Sequence, residues 1–159
     1  TSIADPLVRN EQERRQLETL RKWLAPRGYK ELSAGHGFKV ETLEPGTFCT
    51  HLAVPGLHVN GDEEINVSVD AVIMRHKSKK GRLPLLIEAK SAGDFTNVNK
   101  RRKEEVNKVT NLRNKYGKNV EYILLLCGYF DTGYLGYSAA EGIDWVWEHR
   151  LDELEQFGV

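Results

Sequence analysis

Ile65-Asn66-Val67-Ser68-Val69-Asp70-Ala71-Val72-Ile73-Met74 and Pro84-Leu85-Leu86-Ile87-Glu88-Ala89-Lys90 are the stretches that decide how this chain folds. Both are apolar with a period of two, as strands are, and both carry charge where a packed sheet disfavours it. In the first, Ile65, Val67, Val69, Ala71 and Ile73 share one face while Asn66, Ser68, Asp70, Val72 and Met74 share the other, so Asp70 sits mid-strand. In the second, Glu88 and Lys90 point to one face and Leu85, Ile87 and Ala89 to the opposite one. The loop at residues 75 to 83 allows the two strands to pair antiparallel, which brings Asp70 toward Glu88 with Lys90 beside them.

Two acids placed so close repel, and leaving either unpaired in a low-dielectric strand environment costs roughly several kcal/mol. One divalent cation shared between them removes that cost. Ligands that are all oxygen suit Mg²⁺, which takes one or two carboxylates and phosphate oxygens and keeps several waters. Such an ion can activate water and neutralise charge on a phosphodiester. The plainer alternative is that Glu88 and Lys90 form an ion pair at a strand end and Asp70 is hydrogen-bonded and structural.

An acid on one strand followed by Glu88-Ala89-Lys90 on the next resembles the PD-(D/E)XK nuclease superfamily, with Val69 where the motif name has proline. Residues 85 to 97, Asn99-Lys100-Arg101-Arg102-Lys103-Glu104-Glu105, residues 126 to 131 and Trp145-Val146-Trp147-Glu148-His149-Arg150 are similar to type II restriction endonucleases of the XamI kind. The resemblance covers most of residues 60 to 157. It implies an α/β restriction-endonuclease-like fold, a central mixed β-sheet flanked by helices. It further implies Mg²⁺ held by Asp70, Glu88 and the Ala89 carbonyl, with Lys90 positioning or activating the attacking water. The substrate would be double-stranded DNA, cut site-specifically by a homodimer in host defence. An acid on the first helix often joins the metal in that superfamily, and Glu13 is the residue nominated here.

Composition agrees with a soluble globular domain over 1–159: the chain is 40% hydrophobic and 29% charged, enough for a core without disulfides. Its longest apolar run, Ile123 to Cys127, is too short to cross a bilayer. Cys49 and Cys127 form no CxxC motif, which together with the lack of a signal-like segment points to a reduced, cytoplasmic setting. The chain opens Thr1-Ser2-Ile3 without methionine and is expected to lack an N-terminal portion. A net charge of zero makes the placement of charge matter more than its total.

Residues 10 to 25 read as a helix, with Asn10 as N-cap, Glu13 completing a capping box, and Leu17, Leu20 and Leu24 forming the apolar stripe. Glu13 lies four residues before Leu17 and shares that stripe, so capping and metal binding remain alternative roles for it. Strands are expected within Gly37 to Leu43 and Phe48 to Val54, and His51 and His58 read as loop residues without a role. The basic turn with Lys77, Lys79 and Lys80 would attract a phosphate backbone, or simply solvate a hairpin tip. A helix over 98 to 116 starts with Lys100, Arg101, Arg102 and Lys103. Cations there oppose the helix dipole, which points to an anionic partner such as DNA phosphate. Asn97 and Asn99 are candidates for DNA contact or for helix caps. Val120 to Cys127 reads as a strand covered on both faces, 128 to 142 as a loop or short helix, Ile143 to Glu148 as a strand, and His149 to Phe157 as a closing helix.

A type II restriction endonuclease is therefore the expectation. The rivals are a repair, recombination or transposition nuclease with the same site, and a catalytically silent DNA-binding domain, which an intact Asp70, Glu88 and Lys90 set disfavours.

Overall fold

A computed structural model describes residues 4–33, 39–58, 60–61, 63–91 and 98–159, with backbone alone for 4–9 and 98–99. In chain order it contains helix α1 (Ala4–Leu24), strands β1 (Lys30–Leu32), β2 (Thr47–Leu57), β3 (Glu64–Met74) and β4 (Leu85–Ser91), then helix α2 (Val98–Tyr116) and strand β5 (Tyr122–Cys127). Helix α3 (Thr132–Ala140) and strand β6 (Asp144–Trp147) follow, and a 3₁₀ segment over Glu148–Phe157 ends the chain.

All six strands lie in one mixed sheet in the order of the sequence. β1 runs parallel to β2, β3 is antiparallel to both β2 and β4, and β4, β5 and β6 are mutually parallel. The parallel step from β4 to β5 needs a crossover, and α2 provides it. The expected antiparallel pairing of the two deciding strands is present, and the sheet flanked by helices is consistent with a restriction-endonuclease-like fold.

Each face of the sheet carries its own core. On one side Leu17, Leu20 and Leu24 of α1 pack with Ala71, Ile73, Leu85, Ile87, Ile123 and Leu125, together with Leu151 and Leu154 of the closing segment. On the other, Val109 and Leu112 of α2 and Tyr134 of α3 cover Val67, Val69, Val72, Met74, Leu86, Tyr122, Leu124 and Leu126. β5 is therefore apolar along its whole length because alternate side chains enter different cores.

Several boundaries differ from the sequence reading. α1 begins at Ala4, so Asn10 lies inside it and the capping-box reading falls. Pro6 is compatible with this earlier start, because the first turn has no intrahelical use for its missing N–H. Of the strand expected in Gly37 to Leu43, residues 34–38 lie outside the described residues and Val40–Thr42 is 3₁₀. The first strand is instead Lys30–Leu32, short enough to carry little pattern. Pro55 is tolerated within β2 because β1 pairs with Thr47 to Cys49 alone, so that among the described residues no strand pairs with that edge of β2 at the proline. The closing helix is 3₁₀ and broken at Arg150, whose φ is −134° and ψ 45°.

The alternation along β3 also changes part-way. Val67 and Val69 enter the α2-side core, whereas Ala71 and Ile73 enter the α1-side core, so the strand changes faces at Asp70. β2 changes faces opposite it: Phe48 lies on the α1 side, and Leu52 and Val54 lie with Cys49 on the α2 side. Between these residues His51 has φ 57°, the one positive φ among the described non-glycine residues. The ladder runs Thr50 with Ala71 and Leu52 with Val69, skipping the pair between.

Three positions make the packing testable by urea unfolding. Leu124 is fully buried, and Leu124→Ala is expected to cost about 2–5 kcal/mol. A Cβ on Gly56 would meet the Asn111 carbonyl oxygen at 2.9 Å, so Gly56→Ala should push α2 off β2 and cost about 1–3 kcal/mol. Gly136 of α3 has open space around it, and Gly136→Ala should stabilise by about 0.5–1 kcal/mol. A Gly56→Ala protein as stable as wild type would contradict the close approach of α2.

Candidate active site

The site lies where β3 and β4 part. Their ladder joins Ala71, Val72 and Ile73 to Ile87, Leu86 and Leu85. Beyond it, the Ala89 N–H donates to Asp70 Oδ2 at 2.8 Å, so a side chain takes the place of the next backbone partner. The N–H and C=O of an extended residue project to the same edge, so the Ala89 carbonyl also faces the gap beside Asp70.

Glu88 and Lys90 share the α2 side of β4, as the period of two requires. Lys108 Nζ donates to Glu88 Oε1 at 2.9 Å, and Lys90 Nζ lies 3.2 Å from Glu105 Oε1. Glu88 Oε2 is buried without a hydrogen-bond partner among the described residues. Glu105 is 2% exposed, and the Tyr134 hydroxyl lies 2.9 and 3.0 Å from its two oxygens. Burial pushes the Glu105 carboxyl up, with Lys90 opposing the shift.

α1 closes the opposite side. Gln16 is buried and its Nε2 donates to the carbonyls of Leu125, at 2.9 Å, and Lys90, at 3.2 Å, pinning the helix across β4 and β5. One turn earlier Glu13 reaches Asp70, and its Oε1 is 3.6 Å from His51 Nδ1. Glu13, His51 and Asp70 each offer a ligand atom within 4.8 Å of the others. Glu13, Gln16, Asp70, Glu88, Ala89, Lys90, Arg101 and Glu104 are among the residues lining one open cleft of about 240 Å³.

Burial, then Glu88, then Glu13 push the Asp70 carboxyl up to about 7, against the pull of the Ala89 N–H and Lys108. An acid held that far above its ordinary range, next to a Glu88 oxygen without a hydrogen-bond partner among the described residues, marks a place suited to a cation. The donor set of carboxylates and a backbone carbonyl fits a hard divalent cation.

The structure thus brings Asp70, Glu88, Ala89, Lys90 and Glu13 to one cleft, with Arg101 on its wall. Lys100 is exposed near the start of α2, and the Arg102 guanidinium sits 4.9 Å over the Tyr137 ring. Asn97 lies outside the described residues, as does the Asn99 side chain. The turn bearing Lys77, Lys79 and Lys80 is exposed at the other end of β4, three residues or about 10 Å before Glu88 even at Leu85. Two of that turn's cations are paired, Arg75 with Glu121 and Lys80 with Glu44.

Sequence reasoning assigned no role in the site to Gln16, Glu105, Lys108 or Tyr134, and read His51 as a loop residue without a role. A signal existed for Gln16 and Glu105, which interrupt the buried stripes of their helices beside Leu20 and Val109. None existed for His51, whose approach depends on a backbone torsion.

Residues 1–147 match the model of the XamI restriction endonuclease family. The chain belongs to that family. Over 158 residues it is 55% identical to the type II restriction enzyme SalI of Streptomyces albus G, covering 99% of this chain and 49% of that protein. It spans about half the length of the curated relative it matches. No solved structure matches it significantly. Restriction endonucleases generally use a divalent metal, and in this XamI-family chain Glu13, His51 and Asp70 form a group that could hold one. No helix among the described residues is long and apolar enough to cross a membrane.

The raised Asp70 carboxyl has a consequence for stability in the absence of divalent cations. Folded Asp70 keeps its proton to about pH 7, whereas the unfolded chain releases it near 4. The folded state therefore holds more protons across that window, and stability falls as pH rises from about 4 to about 7. In EDTA, Asp70→Asn should flatten this fall and leave the protein more stable than wild type at pH 8. Urea midpoints with the same pH slope in both proteins would contradict it.

Proposed function

We propose that the protein is a Mg²⁺-dependent, site-specific endonuclease hydrolysing phosphodiester bonds of double-stranded DNA in host defence. The observation that carries this reading is that Asp70, Glu88 and Lys90 line one cleft at the parting of β3 and β4, in a chain of the XamI restriction endonuclease family.

Asp70, Glu88 and the Ala89 carbonyl would hold the cation, with Glu13 completing the set from α1. A divalent ion supplies a Lewis acid that lowers the pKa of water and neutralises charge gathering on a phosphodiester. Asp70 is oriented by the Ala89 N–H and Glu88 by Lys108, so both carboxylates are set before substrate arrives. Lys90 lines the cleft, and its ammonium would orient the attacking water and offset negative charge on the phosphate. Lys100, Arg101 and Arg102, with Asn97 and Asn99 just before them or beside them in the chain, would hold the DNA backbone near the cleft. Lys77, Lys79 and Lys80 lie too far along β4 to touch the phosphate being cut, so a contact there would be with backbone elsewhere on the duplex. Cutting both strands at a palindrome calls for two such sites, hence a homodimer.

Lys90→Ala should abolish Mg²⁺-dependent nicking of plasmid DNA while leaving DNA binding in Ca²⁺ largely intact. Cleavage by that variant at the wild-type rate would remove Lys90 from the mechanism. Discrete fragments from phage DNA would mark a site-specific enzyme, whereas a smear or cutting confined to branched junctions would mark a repair or recombination nuclease.

A further inference from the structure

We propose that Glu105, on α2, is the residue that positions Lys90 for the reaction. The inference rests on the nuclease reading above and extends it to a residue that does not line the cleft.

Glu105 is almost completely buried, yet it is a carboxylate on the stripe of α2 that otherwise carries Val109 and Leu112 into the core. Such a group is kept only where partners compensate it. Its partners are the Lys90 ammonium at 3.2 Å and the Tyr134 hydroxyl at 2.9 and 3.0 Å. Tyr134 is itself buried, and its N–H donates to the side chain of Asp131, the N-cap of α3, at 2.7 Å. A chain of polar contacts therefore runs from the first turn of α3 through Tyr134 and Glu105 to Lys90.

A lysine has four rotatable carbons and many rotamers, and an ammonium free to explore them would spend little time in one place. Lys90 reaches the cleft wall while Glu105 holds it from behind, from the α2 side. The neighbouring contact fixes which cation meets which acid. β4 presents Glu88 and Lys90 two residues apart, and α2 presents Lys108 and Glu105 three apart, so opposite charges meet at both points. Sliding the helix by one turn would set like charges together. A pair that served packing alone would be replaced without loss by apolar residues of similar volume. What the charged pair adds is a fixed place for the ammonium.

The test is single-turnover cleavage of DNA in Mg²⁺ beside DNA affinity in Ca²⁺ and the thermal midpoint, on the full chain. Glu105→Gln keeps the shape and an oxygen for Tyr134 but loses the charge. It should lower the cleavage rate constant by about 10–100-fold, the range for a residue that orients a site group, with affinity unchanged and the midpoint lowered by the loss of Lys90's partner. Glu105→Asp, which restores the charge on a shorter arm, should recover part of the rate. Tyr134→Phe should lower it by a smaller factor. A wild-type rate in Glu105→Gln, or a fall in rate matched by a fall in affinity, overturns the proposal. If Glu105→Gln does not fold, Tyr134→Phe decides, and a wild-type rate there overturns it. A wild-type protein that leaves DNA uncut removes the nuclease reading and this inference together, whereas a cutting wild type with an unaffected Glu105→Gln removes the inference alone.

Discussion

The repulsion among Asp70, Glu88 and Glu13 is the constraint to which the rest of this structure answers. Three acids from three elements converge on the gap where β3 leaves β4, and burial and mutual charge push Asp70 up to about 7. Only some of that repulsion is met by the protein itself, through the Ala89 N–H and Lys108. A sheet ladder continued past Ala71 would have removed the gap and its strain together. The face changes at Asp70 and at His51 opposite it end that regularity, letting Asp70 be approached by Glu13 from one side and by Glu88 from the other.

The two helices that cover the sheet act on this gap in different ways. α1 is anchored by an apolar stripe and by Gln16, whose bonds to the Lys90 and Leu125 carbonyls set the position of Glu13 one turn away. α2 lies so close to β2 that Gly56 admits no Cβ without displacing the Asn111 carbonyl. That closeness brings Lys108 and Glu105 against β4. Stability and site geometry thus depend on the same contacts: leucines and valines fix the helices, and the few polar residues among them fix the charges.

The strands at β3, β4, β5 and β6 and the helix α2 were legible in the sequence because each carries an apolar pattern uninterrupted by glycine or proline, although the alternation along β3 changes faces at Asp70. The convergence of Asp70, Glu88 and Lys90 on one cleft was legible for the same reason, since alternation plus a hairpin leaves few other placements. What was not legible depended on single torsions or on tertiary partners. The start of α1 was read at Asn10 because an Asn-x-x-Glu pattern imitates a cap, although the backbone is already helical from Ala4. His51 reads as a loop residue because nothing local predicts a left-handed torsion within a strand. The basic turn was read as attracting a phosphate backbone or simply solvating a hairpin tip, and how far it lies from the cleft follows only from the placement of Glu88 near the other terminus of β4.

A crystal soaked in Mn²⁺, with its anomalous signal mapped, addresses the shared-cation account most directly. The account predicts a peak about 2.1 Å from carboxylate oxygens of both Asp70 and Glu88 and from the Ala89 carbonyl, the spacing expected of a small hard cation. Ordered metal elsewhere with that gap left empty, or a peak on one acid alone, would contradict it.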